Sequence, residues 1–212
     1  MSIPNRLREE FPRLNTILRH ESTAITLAWG LFKLAQMPDV QEHLRQEIQE
    51  TLPDLNSEAP SYETINSMPY LRCFLMELLR LYPAFPAIMR EASKTTNVED
   101  LQIQQGTRIM VSPYAINRSL ELWGPDAREF RVERWLDSHS GGAKSPQAFM
   151  TFSSGQRICI GKDFAVNSLK LFLAVMVNNF RFEEAVPGWH PPIQKGTSLK
   201  PIGLKVKISE LK

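Results

Sequence analysis

Cys159 stands in company that could do chemistry. It belongs to the run Phe152-Ser153-Ser154-Gly155-Gln156-Arg157-Ile158-Cys159-Ile160-Gly161, with an arginine two places before it and a glycine two places after. Beyond Gly161 a long run, Phe164 to Phe180, is apolar nearly all round and carries few breakers, which predicts a buried helix. That helix would put Cys159 at its N-terminus, where unpaired N–H groups and the macrodipole favour a thiolate. A thiolate so placed can be a nucleophile, a redox thiol or a metal ligand.

The spacing decides among these. Gly155 and Gly161 let a flat ligand or another backbone approach closely. Arg157 offers a fork of donors suited to a carboxylate near the sulfur. A thiolate, a carboxylate-binding arginine and the aromatic Phe152 in one loop suit haem, which has a central iron and propionate edges. A phosphate loop is the first alternative, but Gly155 and Gly161-Lys162 enclose five residues rather than four, and Asp163 stands where a hydroxyl belongs. A structural free cysteine is the second, and it leaves the five spaced partners unexplained. The stretch resembles the cysteine-ligand loop of the haem-thiolate monooxygenases, the cytochrome P-450 family. Every fixed position of that family's Phe-x-x-Gly-x-Arg-x-Cys-x-Gly pattern is present.

The elements around the loop read mainly as helices. Apolar residues recur at helical spacing from Leu14 to Gln36, with Glu21 and Ser22 inside the pattern. Pro38 starts a second helix in its favoured first turn, with Val40, Leu44 and Ile48 on one face. Asp54 to Pro60 is a loop, and Ser61 caps a short turn. Pro69 opens a helix that turns Leu71, Phe74, Leu75 and Leu78 inward and stops at Tyr82-Pro83. Leu101 to Val111 alternates around Gln105-Gly106 and predicts a small hairpin. Pro113 to Leu136 reads as irregular, Ser138 to Pro146 and Pro187 to Pro201 as loops, and Leu204, Val206 and Ile208 as a closing strand.

Composition excludes several classes. With 42% hydrophobic and 23% charged residues, 212 residues suit a globular chain, large enough to bury roughly 70% of its unfolded surface as one domain. A net charge of +2 with scattered basic residues gives no nucleic-acid signature. Two cysteines, Cys73 and Cys159, make no disulfide framework, so a reducing compartment is expected. The polar start has no signal-peptide core and no ~20-residue apolar span occurs, so no transmembrane segment is expected. The four histidines, His20, His43, His139 and His190, are scattered, so Cys159 and not a histidine is the expected iron ligand.

The family resemblance implies further roles. Glu77-Leu78-Leu79-Arg80, which alone reads as a solvated i,i+3 pair, resembles the family's Glu-x-x-Arg motif. Val132-Glu133-Arg134-Trp135 resembles its third partner's segment, with Val132 in place of a proline. The resemblance thus implies a structural ion network of Glu77, Arg80 and Arg134. Arg90, in Pro86-Ala87-Ile88-Met89-Arg90, resembles the family's second propionate-binding arginine, with a surface arginine as the alternative. It also implies that Arg157 binds a propionate, that Phe152 packs beside the thiolate, and that Gly155 and Gly161 shape the haem site.

His20-Glu21-Ser22-Thr23 resembles the oxygen-activating helix, which implies that Glu21 and Ser22 handle protons; read alone it is ordinary helix surface. It resembles eukaryotic, notably fungal, members, many of which sit on the endoplasmic reticulum and oxidise secondary metabolites. The family has Ala-Gly just upstream, where this chain has Leu18-Arg19.

The resemblance runs from His20 onward and covers about the C-terminal half of a family member, so residues 1–19 are read as an unmatched segment and 20–212 as a truncated haem-thiolate domain. It implies a mainly α fold with a small antiparallel β-sheet, haem b (iron protoporphyrin with a cysteine thiolate ligand), a small organic substrate, an NADPH-dependent reductase, and insertion of one oxygen atom. The rival reading is a catalytically inactive remnant or a non-catalytic haem-binding module. The chain as written is expected not to turn over, because the helices that cover Phe164 to Phe180 are absent and Arg19 crowds the oxygen site.

Overall fold

A computed structural model describes residues 5–211 apart from 56 and 195, with side chains from residue 20 onward. Four helices form the body: α1 (Asn5–Gln36), α2 (Pro38–Thr51), α4 (Pro69–Leu81) and α8 (Lys162–Asn179). A short α3 (Tyr62–Asn66) lies between α2 and α4. The chain is mainly helical with small antiparallel sheets.

Proline starts two of these helices for the same reason. Pro38 and Pro69 sit in the first turn, where a missing N–H costs nothing. Neither preceding residue caps with its side chain. For α4 the cap comes from another helix: the Glu47 carboxylate accepts from the N–H groups of Tyr70 (2.7 Å) and Leu71 (2.8 Å). A carboxylate there also meets the positive end of the α4 dipole. Ser61 does cap α3, accepting from the Thr64 N–H at 3.1 Å.

The core lies where α1, α2 and α8 close around α4. Leu71, Phe74, Leu75 and Leu78 are fully buried, each such side chain contributing ~1.5–3 kcal/mol. Gly30 permits the close crossing of α1, since a Cβ there would stand 3.0 Å from Leu78 and 3.4 Å from Leu173. Two buried polar residues of α2 staple the end of α8 to the strand that follows. Arg45 donates to the carbonyls of Val177 and Phe180, both at 3.1 Å. Gln41 exchanges bonds with the Phe182 main chain (2.9 Å each way) and donates to the Leu34 carbonyl. A cation at the negative end of α8 is the favourable sign.

Helix α8 is not buried all round. Leu169, Leu173, Ala174 and Val177 are buried, while Phe164 is 72% and Phe172 50% exposed, with Leu171 and Val175 beside Phe172. All-round apolarity was the expected mark of burial, and here one side of the helix meets the core and the other does not.

The strands correct the expected hairpin. β3 (Leu101–Ile103) pairs backward with β2 (Thr96–Val98) through a turn at Glu99 and Asp100, and β4 (Arg108–Val111) pairs with β1 (Ile88–Glu91). The Gln105-Gly106 turn therefore connects two separate two-stranded sheets. β5 (Phe180–Glu184) and β6 (Val206–Glu210) make a third.

The segment expected to be irregular holds three one-turn helices, α5 (Pro113–Ile116), α6 (Leu120–Trp123) and α7 (Arg134–Asp137). Ser112 and Ser119 cap the first two. No helix among the described residues is long and apolar enough to cross a membrane.

Candidate haem-thiolate site

Within residues 152–161 the backbone folds on itself before the helix begins. Cys159 N–H donates to the Phe152 carbonyl at 2.8 Å and Ile158 N–H to the Gly155 carbonyl at 3.1 Å, across a 3-10 turn at Gly155–Arg157. Ser153 and Gly155 both take positive φ (64° and 67°), which only Gly155 adopts without strain. Helix α8 starts at Lys162 with Gly161 as its N-cap. Cys159 therefore stands just before the helix N-terminus, two residues ahead of the cap. Its thiol-bearing side chain is exposed, in contrast to the buried Cys73.

The loop leaves space on purpose-built terms. A Cβ added at Gly155 or Gly161 would meet nothing within 4 Å. Arg90 of β1 and Arg157 of the loop line one hollow of about 240 Å³ with Ile88, Val111, Met150 and Ser153. Arg90 donates to Ser153 Oγ at 3.1 Å and to the Met89 carbonyl at 3.0 Å. Neither guanidinium pairs with a carboxylate among the described residues. A hollow of that size, below the several hundred Å³ of a whole ligand pocket, takes the edge of a flat ligand. An exposed thiol, two glycines facing open space and two guanidiniums without carboxylate partners among the described residues are groups that fit haem, which carries an iron and propionates. Among the described residues no group of three His, Cys, Asp or Glu could hold a metal ion.

Beneath the loop lies a buried ion network. Glu77 and Arg80 of α4 are both 0% exposed and paired bidentately, at 2.8 Å and 2.7 Å. Arg134 Nε stands 3.4 Å from the same carboxylate, which also accepts from Trp135 Nε1 (2.9 Å) and the Arg131 N–H (3.0 Å). Arg80 donates to the carbonyls of Asn117, Ala127 and Glu129 and lies 5.0 Å over the Trp123 ring. Arg134 is paired with Asp126 at 3.0 Å, and Arg131 with Asp126 as well. The solvated pair that spacing alone suggests is in fact a sealed one.

Aromatic packing joins network to loop. Trp123, Trp135, Phe149 and Phe152 follow one another with centroids 5.6–6.5 Å apart. Phe152 thus packs on Phe149 at the base of the loop.

The proton-handling pair is placed differently. Glu21 and Ser22 are half-buried on α1, which runs through them as unbroken α-helix, with no distortion at that point. The Thr26 hydroxyl bonds back to the Ser22 carbonyl at 3.0 Å. The Leu18-Arg19 departure lies outside the described side chains.

Sequence reasoning missed Asn117, Thr151, Asp126 and the Arg131 main chain, which complete the network. No periodicity marks them; only Trp135, inside the quoted Glu133-Arg134-Trp135 segment, carried a signal.

The family model for cytochrome P450 matches residues 20–208. The chain belongs to the cytochrome P450 family. It is 37% identical over 86% of its length to cytochrome P450 monooxygenase sphH of Aspergillus fumigatus, covering 35% of that protein. It is 34% identical over 91% of its length to cytochrome P450 monooxygenase ptmK of Penicillium ochrochloron, covering 39% of it. To cytochrome P450 714A2 of Arabidopsis thaliana it is 35% identical over 83% of its length, covering 33%. The chain thus spans a little over a third of the length of the curated relatives it matches.

Proposed function

We infer that this chain carries the thiolate half of a haem site that serves monooxygenation of a small organic substrate. One observation carries the reading: an exposed Cys159 in a loop whose two glycines face open space, beside two guanidiniums without carboxylate partners. The fungal monooxygenase names among its relatives support the reaction class.

When bound, haem b supplies oxygen activation at its iron, with reducing equivalents from an NADPH-dependent reductase. Cys159 would hold the iron through its thiolate, an electron-rich ligand for that chemistry. Arg90 and Arg157 would receive the two propionates, a charge-assisted contact that fixes the in-plane orientation. Phe152, packed on Phe149, would stand beside the thiolate. Glu21 and Ser22 would hold and pass protons on the far side. Glu77, Arg80 and Arg134 act as structure beneath the loop.

A second reading, haem binding without turnover, is favoured by the unbroken helix at Glu21 and Ser22. The test is to add haem to the 212-residue protein, reduce it under carbon monoxide and record the Soret band. A thiolate-type band that disappears in Cys159→Ala supports ligation; a histidine-type band unchanged by that substitution refutes it. Coupled product formation with a reductase across a substrate panel, above the Cys159→Ala control, separates the enzyme from the binding module.

A further inference from the structure

The buried ion pair and the thiol loop are joined through one side chain, Asn117. It lies between α5 and α6 and is fully buried. Its amide uses two donors and one acceptor. Nδ2 donates to the Arg80 carbonyl (2.9 Å) and to Thr151 Oγ1 (2.8 Å), while Oδ1 accepts from the Met150 N–H (2.9 Å). Its main-chain carbonyl accepts from Arg80 Nη1 at 2.7 Å. Asn117 is thus held by the guanidinium that Glu77 orients, and it holds the two residues before Phe152.

The Thr151 hydroxyl, having accepted from Asn117, donates onward to the Leu79 carbonyl at 2.7 Å. Leu79 and Arg80 lie in the last turn of α4, whose carbonyls the helix leaves without partners. Here those two carbonyls clamp the root of the loop. From that root Ser153 N–H bonds the Met150 carbonyl, and the Phe152 carbonyl receives the Cys159 N–H. The path from Glu77 to the thiol therefore has no break wider than one residue. Only a primary amide offers two donors and an acceptor in so small a volume, so neither Asp, Ser nor Leu can replace it bond for bond.

We propose that Asn117 is the positioning residue that fixes the loop, and with it Cys159, against the end of α4. The proposal deepens the reading of Cys159 as iron ligand and rests on it for its spectroscopic consequence. If Asn117 served only to fill the core, its loss would weaken all elements alike. A positioning role loosens the loop while leaving α8 and the far core untouched.

The experiment compares Asn117→Ala and the near-isosteric Thr151→Val with the parent 212-residue chain, by amide hydrogen exchange without haem and by the reduced carbon monoxide spectrum with it. Loss of one such bond should speed exchange at the Met150 and Cys159 amides by about tenfold or more, with α8 amides unchanged. The loaded variants should show a smaller fraction of the thiolate-type band than the parent. Parent rates at Met150 and Cys159 in the variants would overturn the proposal, as would equal acceleration of Cys159 and every α4 and α8 amide. Should Asn117→Ala fail to fold, Thr151→Val decides alone. A parent protein that takes up no haem, or whose spectrum ignores Cys159→Ala, defeats the ligand reading, while the exchange rates still decide for or against Asn117.

Discussion

Two regions of this molecule carry its charged and nucleophilic chemistry, and they are built on opposite terms. The Glu77–Arg80 network satisfies itself. Its carboxylate receives two bonds from Arg80, one from Arg134, one from an indole and one from a main-chain amide, and neither Glu77 nor Arg80 reaches solvent. The Cys159 loop does the reverse, presenting a thiol, two open glycine positions and two guanidiniums that no carboxylate neutralises. Groups that are complete hold a fold in place. Groups left open together in one loop are free to meet a ligand.

The largest effect should come from the complete region. Glu77→Ala would strand the buried Arg80 and orphan Trp135 Nε1 and the Arg131 N–H, at a cost of ~3–5 kcal/mol. Urea unfolding followed by circular dichroism should show no folded baseline or a midpoint far below the parent's. A parent-like midpoint would mean that the pair is solvated in solution.

The two sides of α8 offer the next contrast. Leu173→Ala opens a cavity beneath Gly30 and should cost ~2–5 kcal/mol. Phe172→Ser, on the exposed side, should change stability by less than ~0.5 kcal/mol and reduce self-association in sedimentation velocity. Equal destabilisation by both would show that the exposed side is covered after all.

Gly161→Ala sharpens the comparison further, since its Cβ meets nothing within 4 Å and its φ is ordinary. Unfolding should move by less than ~0.5 kcal/mol, while haem affinity should fall. A parallel loss of both would place the glycine's role in the fold.

The smallest effect lies in the alkaline range. Burial, with the charges of Glu133, Cys73 and Glu47 behind it, pushes the Tyr70 phenol up from 10.0 to about 12. Below pH 10 the group is neutral folded and unfolded and contributes no slope. Between pH 10 and about 12 the unfolded chain ionises first, so stability falls as pH rises. Tyr70→Phe should flatten that segment of the curve.

Much of this could be read from the residues, and the misses have physical causes. The starts of α2 and α4 were legible because proline in a first turn and an inward apolar stripe are both local signals. The hairpin around Gln105-Gly106 was misread because β3 and β4 take their partners from strands earlier in the chain, which alternation within one segment cannot reveal. Burial of Glu77 and Arg80 was legible from the largely apolar helix that carries them and from the family resemblance, since three-residue spacing alone looks the same on a wet surface. Cys159 was expected at a helix N-terminus because the apolar run suggested where α8 lies, and Gly161 sets that start two residues beyond the cysteine. Asn117 left no trace, because its partners converge from residues 37 and 33 positions away in opposite directions along the chain.

Amide hydrogen exchange of the whole chain with and without haem bears most directly on the division between a complete and an incomplete region. Haem should slow exchange at residues 152–161 and at the β1 amides around Arg90, and leave the already protected amides of α4 from Glu77 to Leu81 unchanged. Protection centred instead on the hollow lined by Trp29, Tyr82 and Tyr114, or no protection in the Cys159 loop, would contradict it.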